Sequence, residues 1–364
     1  MTPTPPPPAT PSPPISGLPS SPNGYTGSMY LRTPTAAVSR ALPAPRGCLS
    51  ERLITALRDG TDVATDPTPG DDPFGDDVQL ALYVAYELHY AGFTDVVGDR
   101  EWDPGIIALR TALERLFLDA VRAGLDTAPT TAEVLMDELS VEPVHGDGLS
   151  FRLRDNGTWQ QYRDLFALRS LYHLKEADPH AWAIPRLRRT AKAAFVAVEF
   201  DEFGAGRGES VHQELFADLL AAADLDPAYL AYLDRAPAWA LAPVNLMSCF
   251  GLHRSLRGAT VGHLAATEIT SSPGSSRLLS GLERLDAPEP CRLFYREHVE
   301  ADAVHEQVLR RDVVGSLLAE EPELEADVIL GIRGFLFVED AFEAGLTAAW
   351  ETGPVLAGVA SVPV

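Results

Sequence analysis

The sequence predicts an all-α protein. Three observations carry that reading. Apolar residues recur at helical spacing over most of the chain from Cys48 onward. Helix start and stop residues bracket several of those segments, with a Thr cap or an early Pro at the start and Gly at the end. Few segments alternate with period two between turns, so a sheet is not supported, and no fixed-period repeat is present.

The elements follow in order. Residues 1–45 open MTPTPPPPATPSPP and are rich in Pro, Ser and Thr. Such a stretch buries too little apolar surface to offset its ordering entropy, so a disordered tail is expected. Residues 46–145 read as an N-terminal helical extension. LSERLITALRDG is a short helix stopped by Gly60, and VQLALYVAYELHYAGF is a second that stops at Gly92. WDPGIIALRTALERLFLDAVRAGL is amphipathic with Pro104 in its first turn, and TTAEVLMDELS carries a Thr cap. Residues 146–364 form the core region. Its helices are expected in TWQQYRDLFALRSLYHLKEA, PRLRRTAKAAFVAVEFDEFG, ESVHQELFADLLAAADL, APVNLMSCFGLHRSLRG, TVGHLAATEITSS, CRLFYREHVEADAVHEQVLRRDVVGSLLAEEP and ADVILGIRGFLFVEDAFEAGLTAAWE.

Charge and cysteine usage narrow the partners. The chain of 364 residues has a formal net charge of −23, and 46% of it is hydrophobic. A nucleic-acid partner needs a basic footprint, and an anionic membrane needs a polybasic segment; neither partner is expected. No apolar run reaches the roughly 18 residues of a membrane span. The 3 cysteines, Cys48, Cys249 and Cys291, lack zinc-finger spacing and read as reduced thiols. With no secretory signature at the N-terminus, a cytoplasmic protein is expected.

The chemistry signal lies in His and carboxylate residues on the core helices. His298, Asp302 and His305 stand at i, i+4 and i+7 and project from one helix face. They make either a metal-ligand edge or part of a solvated stripe with Glu297, Glu300 and Glu306. Glu202 closes one helix before Gly204, Gly206 and Gly208. Glu209 and His212 follow as a Glu-x-x-His pair, the ligand pair of carboxylate-bridged di-iron bundles. Glu176 falls late in a helix, where the dipole disfavours a carboxylate unless a cation holds it. His173 and His180 are read first as non-ligands. Four carboxylates and three histidines suit two irons. Zinc needs fewer ligands, and calcium or magnesium rarely takes imidazole.

At these residues the chain resembles the haem-oxygenase-like di-iron oxidase and oxygenase family of iron-containing redox enzymes. HLKEADPH, EFDEFGAGR, GHLAATE and HVEADAVHE carry the resemblance over roughly residues 150–350. It implies a haem-oxygenase-like helical bundle holding two Fe, with O2 as co-substrate. By resemblance, Glu176, His298 and Asp302 hold one iron, His212 and His305 the other, and Glu202 bridges them. Glu209 is the implied mobile carboxylate, with a catalytic role. The helix bearing His298 is the implied moving element, since one metal position in this family is typically weak. The implied activities are N-oxygenation, oxidative decarboxylation or C–C cleavage of a small amine- or carboxylate-containing metabolite in specialised biosynthesis. A homodimer built through the N-terminal helices and an external electron donor are the implied partners. A haem-binding or non-catalytic binding scaffold is the alternative.

Other residues stay open. His263 and Glu268 are either partners behind the metal ligands or a satisfied core histidine and a helix-surface glutamate. Glu87 and His89 read as core or interface residues. Trp159, Trp182, Trp239 and Phe294 read as core-filling aromatics, whereas Tyr295, one turn before His298, merits a test of function. Arg186, Arg188, Arg189 and Arg292 either receive a substrate carboxylate or neutralise an acidic surface.

Overall fold

The structure is a computed structural model that describes residues 41–63, 70–96 and 99–356. Among the described residues every regular element is helical. The N-terminal helices are α1 (Cys48–Asp59), α2 (Asp76–Glu87), α3 (Pro104–Gly124), α4 (Ala132–Leu139) and α5 (Leu149–Asn156). The core helices are α6 (Trp159–His173), α7 (Asp178–Ala181), α8 (Arg189–Glu202), α9 (His212–Ala222), α10 (Ala238–Leu252), α11 (Arg257–Arg284), α12 (Glu289–Gln307), α13 (Ser316–Glu320) and α14 (Glu325–Thr352). A π-helical stretch, Val308–Gly315, joins α12 to α13 without a break in direction.

Local chemistry sets most boundaries. Gly60 ends α1 at φ 68, a left-handed conformation that glycine adopts without a Cβ penalty. Asp103 caps α3 by accepting from the Gly105 and Ile106 N–H groups, and Thr158 caps α6 with Gln161 in a capping box. Two boundaries near the expected site differ from expectation. α6 stops at His173, so Glu176 lies in the turn before α7 and meets no opposing helix dipole. α9 begins only at His212, and Glu209 sits in a preceding 3-10 turn, Gly208–Ser210.

Most of the expected tail, residues 1–40, falls outside the described residues. Of the remainder, Leu42 is buried in the main core. Its N–H donates to Asp95 Oδ1 at 2.8 Å, and the Ala44 N–H donates to Asp234 Oδ1 at 2.8 Å. Backbone donors with carboxylate acceptors anchor this stretch.

The described residues form one unit. One apolar cluster runs from Leu42 through α1–α3, α6, α9 and α10 to Leu356. A second joins α4, α8, α11, the π stretch and α14. Thus the N-terminal helices share a core with the later ones. α11 and α14 cross closely because glycines face each other's backbone. A Cβ on Gly262 would lie 2.1 Å from the Val328 carbonyl oxygen, and one on Gly331 would lie 2.1 Å from that of Ala259. α11 also packs along α12, which brings both helices to the site.

Candidate metal centre

Four buried helices and one turn deliver the polar cluster. α12 supplies His298, Asp302 and His305, α11 supplies Glu268, α8 ends at Glu202, and α9 begins at His212. The turn after α6 supplies Glu176. Six of these side chains are buried, and that of Glu176 is only 11% exposed.

They fall into two groups whose ligand atoms lie within 4.8 Å of one another: Glu176, His212 and His298; and Glu202, Glu268, Asp302 and His305. Glu202 Oε2 lies 2.8 Å from His212 Nδ1, which joins the groups. The His212 and His298 rings are 4.5 Å apart.

This partition differs from the sequence expectation, which put Glu176 with His298 and Asp302. The stripe on α12 extends about 10 Å along the axis, at 1.5 Å per residue. One end therefore meets α9 and the Glu176 turn, and the other meets α8 and α11. Glu209 joins neither group and is exposed. Val211 is extended (φ −61, ψ 131), so Glu209 and His212 do not share a helical face. Glu268 takes a place in the second group instead. It is 5% exposed, so the helix-surface reading of it does not hold. Its signal in the sequence is the apolar run VGHLAA just before it, which places α11 inside the protein.

Hydrogen bonding aims the histidines. His298 Nδ1 pairs with the Phe294 carbonyl at 2.7 Å, and its Nε2 has no hydrogen-bond partner. A ring fixed through one nitrogen presents the other to a metal. Both Asp302 oxygens are buried and also lack hydrogen-bond partners, and the buried His212 Nδ1 has the Glu202 carboxylate as its near neighbour. His305 Nδ1 lies 3.1 Å from Glu268 Oε2, and its Nε2 lies 3.3 Å from Asp201 Oδ2. Asp201, adjacent to Glu202, is an orienting residue that sequence reasoning missed. His173 Nδ1 lies 3.1 Å from Glu176 Oε2. It holds the carboxylate in place rather than joining the ligand groups.

The electrostatics require a cation or protons. Burial pushes Glu268 well above the usual carboxylate range, and Asp302 and Glu202 push it further. Asp302 is raised by burial and by Glu202. Burial opposes charge on His298, but Glu176, Asp302 and Glu202 outweigh it and push the imidazole up to about 10. Two carboxylate charges about 4 Å apart repel by about 4 kcal/mol at an effective dielectric of 20. Three carboxylates sharing one buried site are therefore a poor structural device without positive charge between them.

The donor chemistry fits iron. Glu176, His212 and His298 are a two-His, one-carboxylate set, the type that binds non-haem Fe(II). The second group is rich in hard oxygen donors with one imidazole. A further group, Glu114, Cys249 and His253, fits less well. Its carboxylate already meets Arg110 Nε at 3.2 Å and His253 Nε2 at 2.9 Å. Burial and Glu114 also push the Cys249 thiol up to about 12.

The remaining candidates have other places. His263 is a core histidine, 3.0 Å from His180 Nε2 through its Nδ1. Glu87 is buried against Lys175, and His89 packs by Arg110. Tyr295 lines a cavity together with His298. Arg186 donates to the Gly251 and Leu252 carbonyls at the end of α10. Arg189 approaches Glu320 at 3.8 Å, Arg292 pairs with Glu289 at 3.1 Å, and Arg188 is exposed.

Comparison with known proteins agrees with this chemistry. No curated protein matches the chain. Residues 163–340 match the family described as iron-containing redox enzyme. That span includes the seven side chains of the two groups. The helical architecture, strand-free among the described residues, is the haem-oxygenase-like fold. From Arg163 to Asp340, this chain is thus similar to the family of iron-containing redox enzymes.

Proposed function

We propose that the protein is a non-haem di-iron, O2-dependent oxidase or oxygenase of a small amine- or carboxylate-containing metabolite. The observation that carries this reading is the 2.8 Å approach of Glu202 to His212. It places a two-His, one-carboxylate set beside a three-carboxylate, one-His set in one buried space.

In this reading Glu176, His212 and His298 hold one iron, and Asp302, His305 and Glu268 hold the other. Glu202 stands between them. Ferrous iron bound there supplies the electrons that activate dioxygen. The protein residues bind, orient and exclude water. His173 and Asp201 fix Glu176 and His305 through hydrogen bonds. The Phe294 carbonyl holds the Nδ1 proton of His298, so that its Nε2 faces the site once the imidazole gives up its second proton. Phe216 and Phe294 pack on His173 at 4.6 and 5.0 Å and keep that side dry. Glu209, outside both groups, remains a candidate for a carboxylate that enters when its turn rearranges. The cellular setting proposed is cytoplasmic, with an external electron donor and a homodimer built through the N-terminal helices.

Anaerobic loading with Fe(II) tests the reading. About two irons per chain are expected, fewer in His298→Ala, with oxygen consumed only by the loaded protein. Iron uptake no greater in the native protein than in His298→Ala would remove the assignment.

A further inference from the structure

A cavity of about 320 Å³ opens onto the metal centre. Its wall includes His173 and His298 of the polar cluster together with the apolar Leu165, Phe294, Tyr295 and Phe335. A water occupies roughly 30 Å³ in the liquid, so the cavity has room for about ten non-hydrogen atoms. His298 is 4% exposed, and its partnerless Nε2 belongs to a side chain in this wall.

The charged lining comes from α6, α11 and α14: Arg169, Arg277, Glu339, Asp340 and Glu343. The two arginines are already engaged. Arg169 forms a two-point ion pair with Glu339, at 2.9 Å through its Nη1. Arg277 pairs with Glu142 at 3.0 Å and donates to Ser150 Oγ at 2.9 Å. Asp340 and Glu343 make no ion pair among the described residues. Glu343 accepts only the neutral Leu149 N–H, at 3.1 Å. Asp340 is exposed and marks the mouth of the cavity. The mouth therefore carries two carboxylates outside any ion pair, with the Arg169 charge acting on Glu343 only at longer range, while both guanidinium groups are held by other partners.

We infer that this cavity selects a small substrate with an aliphatic body and a protonated amine or guanidinium at the end remote from the metals, received by Asp340 and Glu343. The inference rests on the metal centre proposed above and narrows its substrate class. A ligand whose remote end is a carboxylate would meet like charge there, with both arginines already paired. A cation gains charge-assisted hydrogen bonds at the same place. The apolar midsection packs an aliphatic chain, and the inner end brings the distal carbon or heteroatom toward His298. Arg169 and His173 are one turn apart on α6, so the paired charges lie one helical turn from the residue that orients Glu176.

The probes are n-hexylamine, hexanoate and 1-hexanol, which share one chain length. Each is titrated calorimetrically at neutral pH into the full-length protein, with and without Fe(II), and into the double variant Asp340→Asn/Glu343→Gln. Gln at 343 keeps an acceptor for the Leu149 N–H, and circular dichroism verifies folding. Hexylammonium is expected to bind about tenfold tighter than hexanoate, and the variant to lose about that preference, since each charged hydrogen bond is worth about a factor of ten. Hexanoate binding as tight as hexylammonium, no saturable hexylammonium binding, or an unchanged preference in the variant would each overturn the inference. Iron stoichiometry is measured on the same samples. Lost iron binding with intact amine preference refutes the di-iron reading alone; intact iron binding without amine preference refutes this inference alone.

Discussion

Lys175 Nζ lies 2.5 Å from Glu87 Oε2, and both side chains are fully buried. The ammonium also sits 4.5 and 4.4 Å from the rings of Tyr83 and Tyr90. Tyr229 donates to the same carboxylate oxygen at 3.0 Å. This one pair connects α2 to the turn that holds Glu176, the residue after Lys175. A buried ion pair stabilises little in total, but it is costly to break on one side only.

Glu87→Gln should therefore lower stability by about 3–5 kcal/mol, because it strands a buried ammonium. The double variant Glu87→Gln/Lys175→Met should lose less than the sum of the two single variants. Urea denaturation of the four proteins measures both. Additive losses would show that the two groups act independently.

The second ligand group should be frustrated without metal. Glu268→Gln removes one of three crowded carboxylates and should leave the iron-free protein as stable as the native one, or more stable by about 1 kcal/mol or more. The same change should reduce iron to about one per chain. Glu209→Ala should keep the full complement, since Glu209 lies outside both groups. Metal analysis and chelator-treated melting curves decide the matter. A reversed pattern, with Glu209 essential and Glu268 dispensable, would reassign the ligand.

Acid should destabilise the protein through the His180–His263 pair. Burial lowers His263 to about 3. Burial also lowers His180, and His263 lowers it further. Between that value and the unfolded pKa of about 6.5, the unfolded chain binds a proton that the folded chain does not. Stability from this pair is thus present above about pH 6.5 and lost as the pH falls toward 3, at about 1.4 kcal/mol per pH unit for His263. His263→Asn should flatten the slope of unfolding free energy against pH by about one proton. An unchanged slope would place the acid sensitivity elsewhere.

The α11–α14 crossing has no room for a methyl group. Gly262→Ala and Gly331→Ala should each cost about 1–3 kcal/mol by forcing the helices apart. Because α11 carries Glu268, iron affinity should fall in the same variants. A surface change on the same helix, Ser276→Ala, is expected to leave melting temperature and iron content near native.

The local features of this protein were legible in its sequence. Periodicity alone puts His298, Asp302 and His305 on one face. Thr131 caps its helix in the structure as the sequence suggests. The family-like pattern drew Glu176, Glu202 and His212 to the same site from separate segments. Tertiary structure alone decided how these residues group. A stripe on one helix reports its own face, but the neighbour met at each end depends on how α8, α9 and α11 pack. Glu209 looked like a ligand because i and i+3 meet on a helix; an extended Val211 removes that geometry. Glu268 read in the sequence as either a partner behind the ligands or a helix-surface residue, and the packing of α11 along α12 buries it. Backbone periodicity is set by short-range sterics and hydrogen bonds, which sequence spacing reports directly. A metal centre is set by distances between segments remote in sequence, and only packing fixes those.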